Sequence, residues 1–176
     1  MVGDVRIIHP DVTEDNRMRE KKYWLLKSEP SDYSFDELKN EEDSIAEWDG
    51  VRNYQARNLL RDEIKVGDRV IYYHSNSKPS GAVGTAFVVK SGYPDHTAWD
   101  PKSDHPDPRS TEENPIWYMV DIKADLTFER VVSLKEIKST PELSEMILVR
   151  NSRLSVQPVT QREFNLIVAM GTEQTN

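Results

Sequence analysis

The run Tyr23-Trp24-Leu25-Leu26 is followed at once by Lys27-Ser28-Glu29-Pro30. An unbroken apolar run of this length suits a strand buried on both faces. It is too short for a core helix, and Pro30 pushes Glu29 out of helical geometry, so the run ends there. A strand of that kind requires neighbours on both edges and cover above and below. The rest of the chain therefore has to supply further strands and short amphipathic helices. Hydrophobic residues are only 36% of the whole, but they include four Trp, seven Tyr and four Phe. Each aromatic buries about 150–250 Å², so a modest count still builds a core.

The spacing after Pro30 predicts that alternation. Ser34 stands three residues before Glu37, the spacing of a capping box, and predicts a short helix over Phe35–Asn40. Trp48-Asp49-Gly50 reads as a turn, and Asn53 caps a helix predicted from Tyr54 to about Glu63. Within it Ala56, Leu59 and Leu60 share one face, and Arg57 and Arg61 share another. Arg69–His74 and Ala82–Lys90 are strands by composition, with Gly84 marking a bulge or a close backbone approach.

The segment from Tyr93 to Pro115 holds Pro94, Pro101, Pro106, Pro108 and Pro115 and reads as a long loop. Ile116–Phe128 resumes strand alternation. Val131–Lys138 and Pro141–Met146 are predicted short helices, and Leu154-Ser155-Val156 a short strand. Thr160 with Glu163 makes a second capping box for a helix to Met170, closed by Gly171. The pattern is a mixed α/β or α+β domain, with a small, partly closed barrel as one form. Residues 1–21 show no sustained period and read as a flexible N-terminal arm, 22–170 as the folded domain, and 171–176 as a C-terminal tail.

Composition removes several function classes. Net charge is −8, which argues against a polybasic protein that coats phosphate backbone by charge alone. Mean hydropathy is −0.72 and no apolar run approaches the roughly 20 residues of a membrane helix, so no membrane partner is expected. The absence of Cys excludes disulfides, cysteine-ligated zinc and thiol catalysis, and fits an intracellular, reducing location. There is no P-loop, GxGxxG, HExxH or GxSxG. His74, His96, His105, Asp104 and Asp107 match no zinc spacing, so neither a metal nor a cofactor is expected.

Polar residues concentrate at three strand ends or turns: Lys27-Ser28-Glu29, Trp48–Asn53 and Tyr73-His74-Ser75-Asn76. Such sets beside an indole suit a planar heterocycle, because the indole gives a stacking face and Ser, Asn and backbone amides read donors and acceptors. Arg52, Arg57, Arg61 and Arg153 form a local positive rim in this reading. The competing reading makes Trp48 plain core, pairs Arg52 with an acid and leaves Asn53 as a helix cap. Composition and spacing favour the second.

The same segments resemble the EVE domain family of the PUA-like superfamily. The matching residues are WLLKSEP at 24–30, WDGVRNYQAR at 48–57, VGD at 66–68 and YYHSN at 72–76. Gly84, Tyr93-Pro94-Asp95, Trp99, Trp117 and RLSVQP at 153–158 continue the series in the family's order. The resemblance implies an α+β fold, a PUA-like mixed β pseudo-barrel flanked by short helices. It also implies a non-catalytic module that captures a modified nucleobase, a modified cytosine in DNA before RNA, flipped from its stack. The implied base-binding pocket comprises Ser28, Trp48, Val51, Arg52, Asn53, Tyr73, His74, Ser75, Arg153 and Ser155, with Asp95 and Trp99 as a lid. Location follows as nuclear in a eukaryote and cytoplasmic in a bacterium. Two rivals stand beside this: an enzyme on a modified nucleotide with His74 as base and Asp95 as partner, and a protein- or metabolite-binding module using the same pocket. Oligomeric state is not encoded in any of these features.

Overall fold

The computed structural model describes residues 19–150 and 153–173. Residues 1–18 of the predicted arm and 174–176 of the predicted tail lie outside the described residues. The elements are β1 (Tyr23–Ser28), α1 (Phe35–Asn40), β2 (Ile45–Glu47), α2 (Tyr54–Asn58) with a π turn (Leu59–Glu63), β3 (Arg69–His74) and β4 (Gly81–Pro94). There follow β5 (Tyr118–Ser133), α3 (Leu134–Lys138), α4 (Ile147–Arg150), β6 (Val156–Val159) and α5 (Gln161–Thr172).

Among the described residues, six strands form one sheet in the order β2-β5-β4-β3-β1-β6. The β1–β3 pair is parallel, with Leu25 opposite Ile71 and Ser28 opposite His74; the other pairings are antiparallel. β2 and β6 are the two edges, so the barrel stays open. Bulges along β4 and β5, two of them beside Gly84, bend the sheet.

The apolar run of β1 is divided between two cores by the strand's period of two. Trp24 and Leu26 join Val70, Tyr72, Ala86 and Val88 on one face, covered by Phe35, Leu38, Ala56 and Leu60. Leu25 joins Ile71, Tyr73, Ala82 and Phe128 on the other, covered by Phe164 and Ile167 of α5. Both capping boxes form, at Ser34/Glu37 and Thr160/Glu163.

The predicted helix at 141–146 is only a 3-10 turn at Pro141–Leu143, β4 runs on to Pro94 and β5 starts at Tyr118. Four further departures from the sequence expectation have a packing reason. The helix from Tyr54 widens into a π turn at Leu59 where Gly92 of β4 crosses it; a Cβ there would sit 2.4 Å from the Leu60 carbonyl oxygen. Val131–Ser133 stays in β5 because it pairs with Gly81 and Ala82, and the helix starts after Ser133, which caps it. The last short strand begins at Val156, one residue after Ser155, and pairs with β1. Gly171 lies inside α5: a Cβ there would meet the Phe128 ring at 2.4 Å, so its role is close packing. At the other end, Arg19 is already docked, its guanidinium 2.7 Å from the buried Asp68 carboxylate, which also accepts from the Trp24 indole N–H at 2.9 Å.

Candidate functional site

Because β1 and β3 run parallel, they leave the sheet at the same end. The Ser75 amide donates to the Ser28 carbonyl at 3.0 Å, so two clusters far apart in sequence become neighbours. The Lys27 amide donates to the Ser155 carbonyl at 2.9 Å, which brings in the segment before β6. Asn76 adopts a left-handed conformation, φ 49°, that Asn tolerates, and its amide donates to the Glu29 carboxylate. The fourth part, Trp48–Arg52, hangs from β5 by the Trp48 amide, which donates to the Val120 carbonyl at 2.8 Å.

Together these parts enclose an open cleft of about 1490 Å³. Of the predicted pocket residues, Ser28, Trp48, Val51, Arg52, Tyr73, Ser75, Arg153 and Ser155 line it. Asn53, His74, Asp95 and Trp99 do not. Asn53 accepts from the Ala56 amide at 3.0 Å as the cap of α2. His74 accepts from the Phe35 amide at 3.1 Å through Nε2, and burial lowers its pKa below the ordinary histidine value. Asp95 is fully buried rather than part of a lid. Trp99 ends a short 3-10 turn (His96–Trp99) that Asp95 caps.

Asp95 is the joint beneath the wall. Its Oδ2 accepts from the Gly50 amide at 2.9 Å and Arg52 Nη1 at 2.8 Å, and its Oδ1 from the Thr97 amide at 2.9 Å. Burial alone would raise this carboxyl, but the hydrogen bonds from Thr97, Arg52 and Gly50 outweigh it and hold the pKa below the ordinary carboxylate value. Arg52 also donates to the His105 carbonyl at 2.7 Å, tying the long proline loop to the Trp48 turn. Gly50 is required there twice: its φ is +78°, and a Cβ would lie 2.7 Å from the His105 ring.

Trp48 is 7% exposed and packs edge-on against Tyr72, ring centroids 5.3 Å apart. It belongs to the core and to the cleft at once, giving the cleft an apolar floor. The contacts of the plainer reading, a core Trp48, a paired Arg52 and a capping Asn53, are all present. Tyr73 is likewise buried, and burial pushes its phenol up to about 12. Its ring lies under the Lys27 ammonium at 5.7 Å.

The cleft also takes residues that the predicted pocket did not name: Tyr33, Glu47, Asp49, Lys102 and His105. Asp49 lay inside the Trp48–Asn53 cluster, whereas Lys102 and His105 sit in the proline-rich loop with no local signal. Desolvation in the wall, then repulsion from Asp95, raises the Asp49 pKa above the ordinary value. His96 is raised by its contact with Glu47 at 3.0 Å. Glu29, Asp32, Glu41, Glu47, Asp49 and Asp104 outnumber Lys27, Arg52, Lys102 and Arg153 on the walls, so the cleft does not attract phosphate by bulk charge. Among the described residues no three His, Asp or Glu side chains are grouped to hold a metal ion, and no helix is long and apolar enough to cross a membrane.

A six-stranded mixed sheet, open at its edges, with short helices on both faces and a polar cleft at the parallel strand ends, is an α+β fold of the PUA-like class. The EVE domain model matches residues 22–170, and the chain belongs to that family. It is similar to mouse thymocyte nuclear protein 1, 42% identical over 165 residues that span 84% of this chain and 73% of the relative. A solved hypothetical protein from Leishmania major is 46% identical, with 86% of this chain and 95% of that chain covered and a TM-score of 0.82. The crystal structure of human THYN1 protein in complex with 5-methylcytosine-containing DNA is 38% identical. It covers 88% of this chain and 100% of that chain, with a TM-score of 0.82.

Proposed function

We propose that the chain is a non-catalytic reader that takes a modified nucleobase, a modified cytosine in DNA, into the cleft. The observation that carries this is the human THYN1 protein in complex with 5-methylcytosine-containing DNA, which shares the fold over nearly the whole domain. Flipping a nucleotide out of its stack costs a few kcal/mol, which the cleft contacts must exceed. Trp48 supplies the apolar floor against the base, and Val51 extends it. The Ser28, Ser75 and Ser155 hydroxyls and neighbouring backbone groups contact the base edge, and Arg153 the phosphate. Arg52, Asn53, His74 and Asp95 support these groups from behind, by the ion pair, cap and hydrogen bonds given above. The engaged Nε2 of His74 and its place off the cleft wall argue against the rival in which it is a catalytic base. In a eukaryotic cell this reading puts the chain in the nucleus, in keeping with the name of its relatives.

The test is a titration at fixed salt with matched oligonucleotides carrying unmodified, methylated or hydroxymethylated cytosine in DNA, and methylated adenine in RNA. Methylated DNA binds tightest, Arg153→Ala weakens it, and the unmodified duplex binds weakly with a shallow salt slope. Equal affinity for every oligonucleotide, or steep salt-dependent binding of unmodified duplex, refutes the reading.

A further inference from the structure

We propose a second contact surface outside the cleft: a single-stranded DNA flank stacks one base on Tyr54 and sets a phosphate on Arg57. The inference rests on the reading above, because it takes the captured base to be part of a longer strand.

Tyr54 is 50% exposed, while most other large apolar side chains of the domain are covered. It is nevertheless held in place. Its ring packs on Trp117 with centroids 4.9 Å apart and planes 32° from parallel. Trp117 is itself buried, its indole N–H donating to Asp107 at 2.8 Å. An aromatic held by Trp117 and half exposed loses little freedom when a base lands on its uncovered part, and every base has a face to offer.

Arg57 lies over the same ring, its guanidinium carbon 5.0 Å from the centroid. It donates to the Ile116 carbonyl and to Asn58 Oδ1, both at 2.9 Å, and pairs with no carboxylate among the described residues. Its neighbours Arg61 and Arg109 are neutralised locally by Asp62 and Asp107. In a chain of net charge −8, Arg57 is thus a held cation with no carboxylate in direct contact, influenced by Asp62 only at longer range, beside a half-exposed ring. Single-strand binding uses this pairing of a base-sized platform with a phosphate-sized charge.

The surface is continuous with the cleft. Arg52 lines the cleft and lies 5.6 Å from the centroid of Trp117, whose other neighbour is Tyr54. Arg52 and Tyr54 both pack on this buried indole, so a strand leaving the cleft at Arg52 reaches Tyr54 and Arg57 along the outside of Trp117.

The experiment uses the full chain and two single-stranded oligonucleotides of one sequence, with the central cytosine methylated or not, titrated over a range of salt. Tyr54→Ala weakens both oligonucleotides by about 5- to 150-fold, the equivalent of one lost stacking contact. Tyr54→Phe retains the platform and binds as wild type. Arg57→Gln reduces the salt slope by about 0.7, one phosphate contact on a single strand. Neither change alters the ratio between methylated and unmethylated binding, because neither residue touches the captured base. Unchanged affinity and slope in folded Tyr54→Ala and Arg57→Gln overturn this surface, as does a change confined to the methylated oligonucleotide. If wild type binds both oligonucleotides equally while Arg57→Gln still lowers the slope, the surface stands and the base reading falls. If wild type binds neither, both fall.

Discussion

Replacing Asp95 by Ala removes the joint under the cleft wall. The carboxylate is fully buried and accepts from Gly50, Arg52 and Thr97, so its loss leaves two amides, the Thr97 hydroxyl and one guanidinium N–H without that partner. A hydrogen bond to a charged group contributes about 1.5–3 kcal/mol, but the sum overcounts, since these groups share one acceptor. Arg52 is partly exposed, reaches water and keeps its bonds to the His105 carbonyl, which reduces the loss further. A net cost of about 3 kcal/mol remains, at the low end for breaking a buried pair from one side. For a domain of this size that lowers Tm by roughly 6–12 °C.

The assay is a thermal melt of wild type and Asp95→Ala at pH 7 and then down an acid series. The sign follows from the depressed pKa of Asp95 in the folded state. Its stabilising contribution is complete above the ordinary carboxylate value of about 3.9 and is lost as pH falls through the lower folded value. The gap between the two proteins therefore closes in strong acid. A fall in Tm of less than about 2 °C at pH 7, or a gap that persists unchanged at low pH, would refute the role given to this carboxylate.

Trp48→Ala lowers stability by about 3–5 kcal/mol in denaturant titrations, because the indole is core as well as floor; a loss under 1 kcal/mol contradicts that placement. Gly84→Ala destabilises by about 1–3 kcal/mol, since its Cβ would sit 2.4 Å from the Phe35 ring and 2.6 Å from the Leu126 carbonyl oxygen. Wild-type stability there would mean that β4 and β5 separate freely. In an NMR titration the His96 ring midpoint lies above the ordinary 6.5 and returns toward it in Glu47→Gln, while His74 titrates below 6.5. The His96 contact favours the fold below pH 6.5 and is lost as pH rises through the raised midpoint; coincident midpoints remove the contrast.

Local rules reached the elements whose cause is local. Ser34 with Glu37 and Thr160 with Glu163 announce helix starts because a cap is a contact three residues long. Gly171 misleads for the opposite reason: a glycine that stops a helix and one that admits Phe128 are alike until Phe128 arrives from β5. The cleft was legible as three polar clusters and a likeness to a family. What joins them was not, because Asp95 bonds residues more than forty positions away and His105 reaches Arg52 through its backbone carbonyl, which no side-chain pattern records.

The parallel pairing of β1 with β3 has a further consequence, for the order in which the site comes into being. Between these strands the chain runs through α1, β2, α2 and the π turn, so their register closes a long loop and forms late relative to neighbouring hairpins. Ser28 and Ser75 meet only when that loop has closed. Anything bound in the cleft is therefore linked to completion of the sheet: ligand at one hundred times its dissociation constant adds about 2.7 kcal/mol to the whole domain. A chain that has made only its β3–β4 and β4–β5 pairings has most of a sheet and nowhere to bind.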